Sequence, residues 1–147
     1  MVYVVLDTNI FVSGVISPDS PPAQLLKHWQ SGLLTVVSCQ RAIDELDDVL
    51  QRPHLREKYK ISSAKREALL SVIREGVVLV SGESIKGVVT ADPKDDMFIA
   101  CAVEGQAKYI ISGDKHLRQL RRYQSSRVVE PAYFLNVLTR CLRLNPQ

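Results

Sequence analysis

Acidic side chains that directly follow apolar runs are the residues of this chain best suited to chemistry. Asp7 follows the apolar run Val2–Leu6, and Asp114 follows Tyr109–Ser112 after a single glycine. Carboxylates gathered in one place repel one another, which raises their pKa values and favours a divalent cation between them. Mg²⁺ and Mn²⁺ prefer such oxygen ligands, whereas Zn²⁺ is typically bound by histidine and cysteine. The pattern therefore predicts an Mg²⁺ or Mn²⁺ site, which could activate water for attack on a phosphodiester.

A predicted helix over Gln40–Gln51 supplies further acids. Its apolar residues recur at the helical period and form one stripe. Asp44 and Asp48 are then predicted to face solvent, while Glu45 and Asp47 flank the stripe on opposite sides. Periodicity alone does not choose between Glu45 and Asp47 as a member of the site.

Each acid also has an explanation that needs no metal. Asp92 precedes Pro93, which is typical of a residue that caps the beginning of a helix. Asp7 and Asp114 could likewise cap the segments that follow them, and Glu45 could be a solvated helix residue. The gathering of these acids at one edge is what favours the functional interpretation.

Strands that alternate with helices must position these acids. The predicted strands are Val2–Leu6, Leu33–Ser38, Val77–Val80, Tyr109–Ser112 and Arg127–Val129. The predicted helices are Pro22–Gln30, Gln40–Gln51, Ser63–Arg74, Lys94–Glu104, Lys115–Arg122 and Pro131–Leu142. This alternation predicts an α/β fold with a parallel sheet covered on both faces. Ligands bind beyond the carboxyl ends of such strands, so Asp7 and Asp114 are expected at the same edge.

The length and composition are those of one globular domain, spanning residues 1–147. Hydrophobic residues make up 46% of the chain, which is enough for a core without disulfides. The three cysteines show no metal-ligand spacing, so they are interpreted as buried apolar residues of a protein in the reducing cytoplasm. No apolar run approaches the roughly 20 residues of a membrane helix, so no membrane association is expected. The net charge of +3 permits a polyanionic partner but does not require one.

A basic cluster follows Asp114 along the chain. Its members are Lys115, His116, Arg118, Arg121, Arg122 and Arg127. Cations beside a carboxylate site could hold phosphates, which predicts that Lys115, Arg118, Arg121 and Arg122 bind a polyanion such as a nucleic acid. The alternative is the solvated face of a helix whose buried side carries Leu117 and Leu120.

Four segments that hold most of these acids follow one another along the chain: Val4–Val12, Ser38–Leu46, Asp92–Phe98 and Ile111–Asp114. In this order they resemble the PIN-domain nucleases, and most closely the branch that contains toxins of toxin–antitoxin pairs. The resemblance covers about residues 2 to 138 and implies a PIN-like three-layer α/β/α domain with a central parallel sheet of four to five strands. It also implies an Mg²⁺- or Mn²⁺-dependent endoribonuclease, often a homodimer and often inhibited by a small antitoxin protein. RNA is then the polyanion expected at Lys115, Arg118, Arg121 and Arg122.

The resemblance assigns metal binding and catalysis to four acids. These are Asp7, Glu45, Asp96 and Asp114. The choice of Glu45 over Asp47 comes from this match. Asn9 and Ser112 match polar positions that support the site through hydrogen bonds.

Asp92 and Asp95 remain ambiguous, because either could assist the metal or only cap the helix. The final helix, with Phe134, Leu135 and Leu138, is apolar enough to belong to the core or to an interface.

Three alternatives compete with the nuclease interpretation. A haloacid-dehalogenase-type Mg²⁺-dependent phosphatase would carry a second aspartate two residues after Asp7, where this chain has Asn9. A receiver-type signalling module would carry an aspartate after the middle strand, but Ser81 and Gly82 follow Val77–Val80. A catalytically silent PIN domain could serve as a binding module, although its four acids would not then be needed.

Overall fold

One sheet organises the structure, a computed structural model that describes residues 2–89 and 93–144. Its strands are β1 (Val2–Leu6), β2 (Leu34–Cys39), β3 (Val78–Val80), β4 (Tyr109–Ile111), β5 (Arg122–Tyr123) and β6 (Ser126–Val129). Across the sheet they follow the order β3-β2-β1-β4-β6-β5. All neighbouring pairs are parallel except β5 with β6, which form an antiparallel hairpin. The predicted parallel sheet is confirmed, and β5 is a short sixth strand that was not expected.

Helices cover both faces of this sheet. They are α1 (Thr8–Ile16), α2 (Pro21–Gln30), α3 (Gln40–Leu50), α4 (Pro53–Lys58), α5 (Ser63–Gly76), α6 (Asp96–Glu104), α7 (Lys115–Arg118) and α8 (Pro131–Leu144), with a 3-10 turn at Pro93–Asp95. Helices α1, α2, α3, α5 and α8 contribute to the core on one face. Helices α6 and α7 contribute to the core on the other face. The three-layer α/β/α architecture is therefore confirmed.

Two segments differ from the sequence prediction. Helix α1 was not predicted, because Thr8–Ile16 is rich in β-branched residues and shows no clear polar face. The helix begins there because the Asp7 carboxylate accepts a hydrogen bond from the Ile10 N–H and because Ile10 and Phe11 are buried. The predicted helix Lys115–Arg122 is wrong in its second half.

Helix α7 ends early because the chain turns back towards the sheet. Arg121 has a φ of 60°, in the left-handed region, so the helix cannot continue through it. Arg122 then enters β5 and pairs with β6, while Leu120 and Tyr123 pack against the core. Partial burial of these two side chains favours the β5–β6 hairpin over a longer helix α7.

The central strands bring the ends of β1 and β4 together. Strand β1 has neighbours on both sides, and Val4, Val5 and Leu6 are all buried, as is typical of a strand covered on both faces. Leu6 pairs with Ile111 in the parallel register, and the Asp7 N–H donates to the Ile111 carbonyl at 3.2 Å. The residues that follow both strands therefore meet at one edge.

Helix α8 belongs to the core rather than to an interface alone. Phe134 and Leu138 are buried, and the Phe134 ring lies 5.3 Å from that of Tyr109 on β4. Over the described residues, no helix has the length and apolarity to cross a membrane.

Candidate active site

Asp7, Ser112 and Asp114 form a connected group at the carboxyl ends of β1 and β4. Asp7 is only 4% exposed, and its carboxylate caps α1 by accepting from the Ile10 N–H at 3.1 Å. The buried Ser112 hydroxyl donates to the other carboxylate oxygen of Asp7. The same hydroxyl oxygen accepts from the Asp114 N–H at 2.9 Å. Ser112 thus links the two aspartates through hydrogen bonds.

The environment of Asp7 disfavours its negative charge. Burial is the largest cause and, together with the charge of Asp114, raises the pKa of Asp7 from 3.8 to about 6. Hydrogen bonds from Ser112 and from the N–H groups of Ile10 and Asn9 act in the opposite direction and do not offset burial. A cation beside Asp7 and Asp114 would relieve this cost.

Both aspartates also act as helix caps, as the alternative explanation expected. Asp7 caps α1, and Asp114 caps the short helix α7 by accepting from the His116 N–H at 2.8 Å. Capping occupies one carboxylate oxygen of each residue. It therefore accounts for part of their placement but not for the burial of the Asp7 carboxylate close to the half-buried Asp114.

Glu45 lies beside the end of β1, on α3. Its Oε2 accepts a hydrogen bond from the Thr8 hydroxyl at 2.8 Å, and Thr8 itself is buried. Asp47 faces α5 instead, where it forms an ion pair with Arg66 at 3.1 Å. Of the two acids that periodicity left open, the structure brings Glu45, and not Asp47, to Thr8, the residue after Asp7.

Thr8 was not singled out from the sequence. The signal was present, because Thr8 stands between Asp7 and Asn9 in a segment that the family resemblance covers. The Asn9 side chain, which was expected to support the site, is exposed. The backbone N–H of Asn9, rather than its side chain, interacts with Asp7 and lowers the pKa of that carboxyl group.

Asp96 is buried at the first residue of α6, and its carboxylate faces a loop. One oxygen accepts from the Gly87 N–H at 2.8 Å, and the other accepts from the N–H groups of Val88 and Val89 at 3.1 and 2.7 Å. The three bonds fix the loop against the beginning of α6. Both oxygens of this predicted metal ligand are therefore engaged by backbone donors.

The remaining predicted acids are less informative. Asp95 is half-buried in the 3-10 turn that precedes α6. Asp92 lies outside the described residues. Among residues 2–89 and 93–144, no three histidine, cysteine, aspartate or glutamate side chains are grouped closely enough to hold a metal ion together.

An open cleft of about 270 Å³ lies next to Glu45. Its lining residues are Arg41, Asp44, Glu45, Asp48, Lys94 and Met97. Asp44 and Asp48 are exposed, as predicted for the solvent face of α3. The cleft leaves room for a substrate at the side of the site that carries Glu45.

The structure divides the predicted RNA-binding cluster into two parts. Lys115 directly follows Asp114 at the carboxyl end of the sheet, and Arg118 forms an ion pair with Glu130 at 3.3 Å. Arg121 and Arg122 follow the end of α7, and Arg122 pairs with Arg127 near the beginning of β6. Adjacency in sequence to Asp114 therefore does not bring all four cations to the carboxylates.

The fold and the order of these residues agree with the family comparison. A family model described as the PIN domain matches residues 3–116, which is more than half of the chain. The chain belongs to the PIN-domain family. This membership supports a nuclease, that is, a hydrolase that cuts phosphodiester bonds, and it gives no support to the phosphatase alternative.

The chain is also similar to individual proteins. Uncharacterized protein MJ1680 of Methanocaldococcus jannaschii is 30% identical over 118 residues, which cover 80% of this chain and 74% of that protein. The crystal structure of VapBC2 from Rickettsia felis, bound to a DNA fragment from their promoter, has a TM-score of 0.54 and 12% identity. The match covers 87% of this chain and 98% of the matched chain. At this identity, the likeness shows a shared fold.

Proposed function

We propose that this chain is a metal-dependent endoribonuclease that acts as one domain in the cytoplasm. The observation that carries the proposal is the buried Asp7 carboxylate, linked through Ser112 to Asp114 at the carboxyl ends of adjacent parallel strands. Two carboxylates in this position cost free energy unless a cation joins them. Membership of a nuclease family supports the same reaction class.

Asp7 and Asp114 fit the binding of Mg²⁺ or Mn²⁺. Both offer hard oxygen ligands, and Mg²⁺ is commonly held by one or two carboxylates together with waters and substrate phosphates. Glu45, on α3, would orient the attacking water beside the two aspartates. When bound, the ion would lower the pKa of a water molecule and stabilise negative charge on the scissile phosphate.

The protein residues have separate tasks in this proposal. Ser112 orients Asp7, and Thr8 orients Glu45, whose free oxygen can accept a proton from the attacking water. Asp96 holds the loop at 87–89 and adds negative charge at the start of α6. Lys115 is the cation nearest along the chain to Asp114 and would contact a phosphate of the RNA.

We also propose that the chain is the toxin of a toxin–antitoxin pair, with a small antitoxin protein and a second copy of itself as partners. The shared fold with VapBC2 supports this proposal. Sedimentation of the purified chain tests the homodimer, since a monomer at micromolar concentration would contradict it. Co-expression with the product of the neighbouring gene tests the antitoxin, which should copurify and suppress cleavage.

The decisive experiment is cleavage of RNA by the wild type and by Asp7→Asn, each with Mn²⁺ and with a chelator. We expect cleavage only by the wild type with Mn²⁺. The matched control is Asp19→Asn, an exposed acid in the turn between α1 and α2 that should cleave like the wild type. Equal cleavage by Asp7→Asn would contradict the site. Absence of cleavage by the wild type, with RNA still bound, would favour the silent binding module.

A further inference from the structure

Two arginines stand directly opposite each other at the outer edge of the sheet. Arg122 on β5 pairs with Arg127 on β6 in the antiparallel register, so their side chains share one face. Both side chains are exposed. Like charges directly opposite one another destabilise a strand pair.

No carboxylate of the described residues compensates this charge. The ion pairs within the described part of the chain join Arg66 to Asp47 and Glu67, and Arg118 to Glu130. Neither Arg122 nor Arg127 takes part in them. The two guanidinium groups are therefore available to an anion from outside the chain.

An exposed aromatic ring lies beside this arginine pair. The Arg127 guanidinium carbon is 5.7 Å from the ring centroid of Tyr133, which is 42% exposed at the beginning of α8. Arginines bind phosphates through paired donors, and exposed aromatic rings stack on unpaired bases. Two cations and one ring are the elements of a surface for a single-stranded polynucleotide.

This surface is separate from the carboxylates. Arg127 lies two residues before Val129, the β6 partner of Ile111, which corresponds to roughly 7 Å along the strand. Asp114 lies three residues further on, beyond the opposite end of β4. A polynucleotide bound at both places would have to run along the side of the sheet that β5 and β6 form.

We propose that Arg122, Arg127 and Tyr133 form a second RNA-binding surface, which holds the flank of a single-stranded RNA while the cleaved phosphate lies at the carboxylates. The surface would contribute affinity without touching the reacting atoms. This inference rests on the proposed ribonuclease function for the identity of the ligand.

Binding of a fluorescein-labelled single-stranded RNA to the Asp7→Asn protein tests the surface without interference from cleavage. On this background, Arg122→Ala with Arg127→Ala should raise Kd roughly tenfold and reduce the slope of log K against log salt by about 1.4. Arg122→Lys with Arg127→Lys should keep the salt slope. Tyr133→Leu should raise Kd without changing that slope, because stacking does not release counterions.

The matched control is Arg56→Ala with Arg74→Ala, which removes two exposed arginines from α4 and α5. It should leave both Kd and the salt slope unchanged. The proposal is overturned if the Arg122 and Arg127 double alanine variant binds like this control, or if the Asp7→Asn protein does not bind RNA. Cleavage by the otherwise wild-type chain is measured separately, so a failure of the nuclease proposal is distinguishable from a failure of this surface.

Discussion

At the scale of single residues, the site depends on one carboxylate whose charge is held in an unfavourable place. Asp7 is buried, faces the charge of Asp114, and has a pKa raised to about 6. The folded protein therefore binds the proton of Asp7 more tightly than the unfolded chain does. In the absence of metal, ionisation of this group opposes folding.

Stability of the metal-free protein should consequently fall as the pH rises from about 4 to about 6. The contribution of Asp7 to the free energy of unfolding is fully present below pH 3.8, its pKa in the unfolded chain. It is lost as the pH rises through about 6, the pKa of Asp7 in the folded protein. The change amounts to about 3 kcal/mol, at 1.36 kcal/mol for each pKa unit. Urea unfolding in a chelator across this range measures it. Asp7→Asn should remove this part of the pH dependence, whereas Asp19→Asn should retain it, and equal curves for all three proteins would contradict the assignment.

Thr8 should matter through Glu45. Thr8→Val keeps the shape of the side chain but removes the hydroxyl that donates to Glu45 at 2.8 Å. We expect cleavage to fall roughly 10- to 100-fold, as for other residues that orient a metal-site ligand. Thr8→Ser restores the donor and should recover most of the activity in the same assay. If Thr8→Val cleaves RNA as fast as the wild type, Thr8 does not position Glu45 for the reaction.

At the scale of elements, helix α6 carries two carboxylates that fasten the loop before it. Asp96 binds the N–H groups of residues 87 to 89 at the first residue of the helix. Glu104, at its last residue, accepts from Ser81, Gly82 and Ser84. Burial raises the pKa of Glu104, but these hydrogen bonds outweigh it and lower the pKa to about 2. Helix α6 thus holds two parts of this loop, one at residues 81–84 and one at residues 87–89.

Asp96→Asn should separate the structural role of this acid from metal binding. Loss of charge-assisted bonds to three N–H groups should destabilise the fold by about 2–4 kcal/mol and speed hydrogen exchange at residues 87 to 89. Because backbone donors occupy both oxygens, we expect Mn²⁺ affinity, measured by calorimetry, to change less than with Asp114→Asn. A loss of Mn²⁺ affinity equal to that of Asp114→Asn would make Asp96 a principal ligand.

At the scale of the whole molecule, a cation that binds the folded chain alone must stabilise it. Mn²⁺ at about 100 times its Kd should add about 2.7 kcal/mol, which raises Tm by roughly 5–11 °C for a domain of this size. Thermal unfolding with and without Mn²⁺ measures the shift. Asp7→Asn should lose most of it, and the shift should persist in Asp19→Asn. A Tm that does not respond to Mn²⁺ in the wild type would contradict the proposed metal dependence.

The sequence predicted the layers of the fold because its signals there are local. Apolar runs such as Val2–Leu6 mark buried parallel strands, and the helical period marks α3. Helix α1 and strand β5 escaped prediction because neither has a clear periodic pattern. Helix α1 depends on its packing against α2 and α3, and β5 depends on its pairing with β6 across a tight turn.

The same distinction between local signals and contacts between elements applies to the candidate site. The sequence by itself determined that Asp7 and Asp114 follow strands of a parallel sheet and lie at the same edge of it, because a strand and the residue after it are local features. Only the tertiary structure made those two strands neighbours. Only the tertiary structure decided that Thr8 holds Glu45, that a backbone loop engages Asp96, and that Arg122 faces Arg127. These contacts join residues of different elements, so they depend on how the elements pack and fold back on one another, which the periodic pattern of a single element does not encode.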